Sequence, residues 1–196
     1  MTVIRFIQCK GGAGTSTVAV AFAARLAAQG RRVLVMGHDS DALAAIMGLP
    51  PVNGDQRGSI IHVGDFANAD RLPLALAVLD TCDTDWSVSV FAGQYRADVC
   101  VLDGTDVEAD RTYLVMRGPD YLTLRAACSN RPKVDGVVLV QEVGRALSAE
   151  DVTAVLGLPV LVTLPVDPAI SRAVDAGVLV SRPKGTALDV LAPEVT

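Results

Sequence analysis

At 196 residues with 51% hydrophobic content, the chain has enough apolar material for one well-filled domain. Its net charge of -5 argues against a surface that attracts nucleic acid over its whole extent, so non-specific DNA binding is not favoured and would need a local basic patch. Cys9, Cys82, Cys100 and Cys128 form no C-x-x-C pair and are expected to be reduced thiols, mostly in the core. The run Val3 to Ile7 is broken by Arg5 and is short for a signal peptide, and "GLPVLVTLPV" is short for a membrane span. A soluble cytoplasmic chain is expected.

In chain order, "VIRFI" (3–7) reads as a strand and "QCKGGAGTST" (8–17) as a glycine-rich loop opening a helix. "TVAVAFAARLAAQG" continues that helix to Gly30. "RVLVMG" (32–37) is a second strand and "SDALAAIMG" a short helix, which makes one βαβ unit. Further on, "GSIIHVGDF" suits a strand and "RLPLALAVLDTC" a helix, whereas Trp86 to Tyr95 is rich in turn formers and is expected to be mobile. From Asp98 onward "DVCVLD", "RTYLVMR", "GVVLVQE" and "PVLVTLPV" are near-continuous β-branched runs, as in strands buried on both faces. The helices "PDYLTLRAACSN", "SAEDVTAVLG" and "DPAISRAVDAGVL" separate them. The pattern predicts a doubly wound α/β fold, a mainly parallel sheet of about seven strands with helices on both faces. The expected organisation is a single domain over 1–196, with a short flexible tail from about 182.

The glycine loop lies where phosphate chemistry needs it. Successive glycines bring backbone N–H groups close to an anion, and the helix start adds its positive end. The general P-loop, G-x-x-x-x-G-K-[ST], fails here twice, because Cys9 stands for its first glycine and Thr15 for its lysine. Lys10 lies instead ahead of the glycine pair. The plain alternative is a tight βα turn capped by serine or threonine.

"KGGAGTST" resembles the deviant Walker A loop K-G-G-x-G-K-[ST]-[ST] of the ParA/MinD family of P-loop ATPases, and differs from it only at the second lysine. Members resembling the CpaE/TadZ pilus-assembly proteins also often lack that lysine. The resemblance implies ATP and Mg²⁺ bound by Gly11, Gly12, Ala13, Gly14, Thr15, Ser16 and Thr17, with the Ser16 hydroxyl on the metal. It also implies that Lys10 reaches the partner's phosphates across a nucleotide-dependent homodimer. "GHDSD" resembles switch I, with Gly37 in place of a first aspartate and Asp39 in place of the water-orienting one. "ADVCVLDGTD" is similar to Walker B and switch II, with Asp103 supporting the metal. "LPVDPAISRAVDAGVL" is similar to the segment bordering the adenine, which points to Pro165 and Asp167.

Each assignment has a structural alternative. Asp39 or Ser40 equally suits a helix N-cap, and an aspartate at a strand end, as at Asp103, is a common turn residue. His38 and His62 stand alone, Tyr113, Tyr121 and Trp86 suit packing, and the scattered Arg117, Arg125, Arg145, Arg172 and Arg182 suit a solvated face. The tail "RPKGTALDVLAPEVT" has too few basic residues for a membrane-targeting helix, so membrane binding is not expected.

The function implied is an ATP-operated dimerisation switch with weak hydrolysis. Such switches position plasmid, phage or chromosome DNA, the division site or pilus machinery, and a partner protein stimulates them. The alternative is a non-hydrolysing adaptor that keeps the fold and dimer surface. A dinucleotide-binding enzyme fits less well, since no G-x-G-x-x-G follows the first strand.

Overall fold

The computed structural model describes residues 1–65, 73–78, 84–118, 121–130, 132–183 and 186–193. The strands are β1 (Thr2–Ile7), β2 (Val33–Gly37), β3 (Ile60–His62), β4 (Leu74–Ala77), β5 (Val99–Asp103), β6 (Arg111–Arg117), β7 (Gly136–Gln141) and β8 (Val160–Pro165). Between them run α1 (Thr15–Ala28), α2 (Ser40–Met47), α3 (Thr84–Tyr95), α4 (Tyr121–Asn130), α5 (Ala149–Leu156) and α6 (Pro168–Asp175). The eight strands form one sheet in the order β3-β4-β2-β5-β1-β6-β7-β8. Every pairing is parallel except that of the short edge strand β3 with β4. Parallel strands need crossovers, and the helices that make them cover both faces.

Alternation along each strand divides the core into layers. Val33 and Val35 of β2 face the layer that holds α1, α2 and the C-terminal segment, while Leu34 and Met36 face α3. Leu114 and Met116 of β6 and Val137 and Leu139 of β7 meet α4 and α5. Helix α1 is almost wholly buried, which explains its composition: alanines at 19, 21, 23, 24 and 27 let it lie close to the sheet among other elements. Phe6 and Phe22 meet edge to face at 5.4 Å, and Phe6 and Tyr113 lie 5.7 Å apart, under this helix.

Two expectations for the middle of the chain are overturned. Within "RLPLALAVLDTC" the described part forms strand β4, not a helix, with Leu74 to Ala77 fully buried; residues 71–72 and 79–82 lie outside the described residues. Leucine and alanine are good helix formers, but pairing to β2 and burial on both faces outweigh that propensity. The span Trp86 to Tyr95, expected to be mobile and turn-rich, belongs to α3, whose Val88, Phe91, Ala92 and Tyr95 pack on β2 and β5. The helix expected from Pro119 starts, among the described residues, at Tyr121, whose ring is exposed rather than packed.

In the segment expected to be a flexible tail, Thr186–Leu191 makes a 3-10 turn that buries Leu188 and Leu191. The Asp189 carboxylate accepts from Arg25 Nε of α1 at 3.0 Å and from its terminal nitrogen at 2.5 Å. Of the described thiols, Cys100 is buried and Cys128 exposed, and Cys9 is intermediate. Burial pushes the Cys100 thiol up to about 12, so this cysteine is a packing group.

Helices α2 and α6 meet where both end. Gly48, the C-cap of α2, has a φ of 72°, and a Cβ built there would lie 2.0 Å from the carbonyl oxygen of Gly177. Gly48→Ala therefore combines left-handed strain with a backbone collision and is expected to destabilise the fold by more than about 2 kcal/mol. Gly54→Ala, where a Cβ meets nothing within 4 Å, is the control and should change stability by less than about 0.5 kcal/mol. Urea unfolding midpoints of the two variants against wild type check this.

Candidate nucleotide-binding site

The carboxyl ends of the parallel strands share one edge of the sheet, and the glycine loop rises there from the end of β1. Gly12 and Gly14 adopt left-handed conformations, φ 83° and 84°. A Cβ at Gly11, Gly12 or Gly14 would meet nothing within 4 Å, so the loop borders open space that its backbone can offer to a ligand. Helix α1 starts without a side-chain cap, with Gly14 as its N-cap and no acidic residue in its first turn. By contrast, α2, α5 and α6 are capped by their own Asp39, Ser148 and Asp167. The first N–H groups of α1 thus keep their hydrogen-bonding capacity and their positive end-charge.

Position 15 behaves unlike a P-loop lysine. The Thr15 side chain is buried, and its hydroxyl donates to Gln8 Oε1 at 3.0 Å, closing the base of the loop. Ser16, next along, lies close enough to Asp103 for its hydroxyl to favour the ionised carboxylate. Register explains this meeting: Asp103 is the last residue of β5 and pairs with Phe6 of β1 on one side and Gly37 of β2 on the other. A Cβ at Gly37 would lie 2.7 Å from Leu43 Cδ1 and 3.0 Å from the Asp103 carbonyl oxygen, so no aspartate fits there without rearrangement. Asp39 does lie near enough to act on Asp103, and so does His38, which the sequence left as an isolated residue. Asp39 is also the N-cap of α2, accepting from the Ala42 N–H at 2.9 Å, so the structural alternative for this residue is realised.

Arg5, the charge that interrupts β1, braces the segment after Asp103. Its guanidinium donates to the Val107 carbonyl at 2.9 Å and to the Thr105 carbonyl at 3.4 Å. The Thr105 hydroxyl itself is buried with no hydrogen-bond partner, a cost of about 1–3 kcal/mol in the segment that resembles switch II.

Beside the loop a cleft of about 260 Å³ is lined by Ala13, Gly14 and Thr17 on one wall and by Pro165, Val166 and Asp167 on the other. The two residues singled out near β8 thus border the same space as the loop. Asp167 caps α6 by accepting from the Ala169 N–H at 2.7 Å. The remaining lining, including Val18, Val140 and Leu164, is mostly apolar and suits a flat ring more than a charged group. On the other side of the loop Lys10 lines a second cavity with Gly11 and Gly12. There the structure gathers residues that the sequence left scattered: Glu142 accepts from Arg117 Nε at 2.9 Å and from Arg145 Nε at 2.7 Å.

These residues fit a nucleotide with a divalent ion. Gly11 to Thr17 offer an N–H cradle, Ser16 and Asp103 form a hydroxyl–carboxylate pair of hard oxygen donors, and the apolar cleft would receive a base. Among the described residues no three His, Cys, Asp or Glu side chains gather to hold a metal by themselves. A cation at this pair would complete its shell with water or with oxygens of a bound ligand.

Burial pushes the Asp103 carboxyl above the ordinary aspartate value; the nearby Ser16 hydroxyl and His38 oppose that, and Asp39 adds to it. The folded chain thus disfavours the ionised form, and stability contributed by this group is lost as pH rises from the unfolded pKa through the folded one. Asp103→Asn is expected to melt at a higher temperature than wild type at neutral pH, with the gap closing towards about pH 3. Thermal melts of both proteins across that range check the sign.

A family model described as an AAA domain matches residues 1–79. Among curated proteins none matches the sequence significantly. Among solved structures, the MinC:MinD cell division protein complex of Aquifex aeolicus is similar with a TM-score of 0.72 and 18% identity, over 97% of this chain and 93% of that one. MinD complexed with Mg-ADP from Pyrococcus horikoshii gives 0.71 and 18%, over 96% and 92%. A ParA family ATPase of Chlorobium tepidum gives 0.62 and 16%, over 97% and 96%. The loop at the end of β1, the match of residues 1–79 to an AAA-domain family model and the likeness over nearly the whole length agree: the chain has the fold seen in these MinD and ParA family structures.

Proposed function

We propose that the chain is a nucleotide-operated switch of the ParA/MinD type, which binds ATP with Mg²⁺ and pairs with a second copy of itself in that state. The observation that carries this reading is the uncapped start of α1 behind left-handed Gly12 and Gly14, set beside the Ser16–Asp103 pair. Gly11, Gly12, Ala13, Gly14, Thr15, Ser16 and Thr17 would surround the phosphates through backbone N–H groups, and Ser16 and Asp103 would hold the metal. Pro165 and Asp167 would border the base, and Asp39 would orient the attacking water. Lys10 would act across the dimer. In the cell such a switch positions a cargo such as DNA, a division site or a pilus machine, with a stimulating partner. No helix among the described residues is long and apolar enough to cross a membrane.

A specific observation favours a second reading. Thr15 is buried and bonded to Gln8, so position 15 lends no charge to the β- and γ-phosphates, and hydrolysis would be weak or lost. The chain would then be an adaptor using nucleotide to set its shape.

Two measurements separate these readings. Light scattering with ATP, with ADP and without nucleotide should show a dimer with ATP alone, and Lys10→Ala should abolish it while lowering monomer affinity less than about threefold. A mass that ignores nucleotide would exclude the switch. For hydrolysis, Asp39→Asn keeps the cap of α2 and removes the carboxylate, so phosphate release should fall by at least about tenfold with ATP affinity kept. Wild type that releases no phosphate with Mg-ATP and candidate partners would select the adaptor.

A further inference from the structure

We propose that Arg117, from the end of β6, supplies the phosphate-facing cation that position 15 lacks. The inference rests on the nucleotide-binding reading above and adds to it a residue that no loop motif contains.

Strand register brings Arg117 to the loop. The last pair between β1 and β6 is Ile7 with Leu114, and β6 runs three residues further to Arg117, a rise of about 10 Å. Arg117 consequently lines the cleft with Ala13, Gly14 and Thr17 and also the second cavity, of about 280 Å³, with Lys10, Gly11 and Gly12. It is the one charged side chain that borders the loop from both sides among the residues lining these two spaces. Its side chain is 45% exposed, so a ligand can reach it.

The arginine is also held in place. Glu142, just past β7, accepts from Arg117 Nε and from Arg145, and these two guanidiniums keep its carboxyl below the ordinary glutamate value. The tether uses one of the five N–H donors of a guanidinium, a fork that can serve a carboxylate and a phosphate together. Crowding adds to the restraint, since a Cβ at Gly118 would come within 2.9 Å of both Arg145 Nε and Glu142 Oε2. Among the described residues lining this cavity, the guanidiniums of Arg117 and Arg145 outnumber the one carboxylate, Glu142. A lysine within the loop is replaced by an arginine anchored on a neighbouring strand.

The chemistry predicts dependence on phosphate, not on the base. Calorimetric titrations with ATP, ADP and adenosine, each with Mg²⁺, would compare wild type, Arg117→Gln, Arg117→Lys and the double variant Thr15→Lys/Arg117→Gln. Arg117→Gln should weaken ATP about tenfold or more and ADP less, with adenosine within about twofold of wild type. Arg117→Lys should recover part of the loss, and Thr15→Lys in the Gln background should recover ATP affinity by returning the cation to the loop. Circular dichroism of each variant verifies that it is folded. An ATP affinity in Arg117→Gln within about twofold of wild type, or an equal loss for adenosine, would overturn the role of Arg117 and leave the nucleotide site standing. Wild type that binds none of the three ligands would overturn the nucleotide reading, and this inference with it.

Discussion

The parallel pairing of β1 with β5 on one side and β6 on the other sets the geometry of the site, because it fixes the height at which each strand hands over to its loop. Phe6 level with Asp103 puts a carboxylate beside the first turn of α1, and the overrun of β6 past Ile7 carries Arg117 up to the glycines. Neither placement needs a loop to find its own way. The apolar faces of these strands are buried in separate core layers, so a slip of register by one residue would turn Ile4 and Phe6 into the opposite layer and displace the site at the same time.

Charge at this edge is sorted by strand. Asp39 and Asp103 stand on the β2–β5 side of the loop with the Ser16 hydroxyl, and Lys10, Arg117 and Arg145 stand on the β6–β7 side. A triphosphate and a divalent cation need such a division, with oxygens for the metal on one flank and N–H donors for the phosphates on the other. Arg5 contributes by holding the backbone between β5 and β6, so a charge inside an apolar strand has a structural use.

Much of this was legible along the chain where the signal is local. The loop and the segment at Pro165 to Asp167 announce themselves by a short pattern followed by a helix, and Asp103 by the apolar run that it ends. Helix α3 was obscured by its serines and glycine, although Val88, Phe91, Ala92 and Tyr95 have helical spacing and form its buried face. Strand β4 was misread because leucine and alanine carry no strand preference, and only its pairing partner reveals it. Arg117 had no local signal for its meeting with Glu142 and Arg145: it ends β6, they follow β7, and the three meet because β6 and β7 are neighbours in the sheet. His38 was passed over for the same reason, since β5 brings Asp103 to it from far along the chain.

The close approach of Gly48 and Gly177 has a mechanical meaning for the two ends of the site. Helix α2 begins at Asp39, on the flank where water and metal would act, and α6 begins at Asp167, against the cleft suited to a base. Their far ends touch backbone to backbone with no side chain between them to act as a cushion. Two rigid rods joined at their tails behave as a lever: a tilt of one helix must be transmitted to the other or break the contact. The helix starts at Asp39 and at Asp167 are thus tied together through one backbone contact that lies away from the glycine loop.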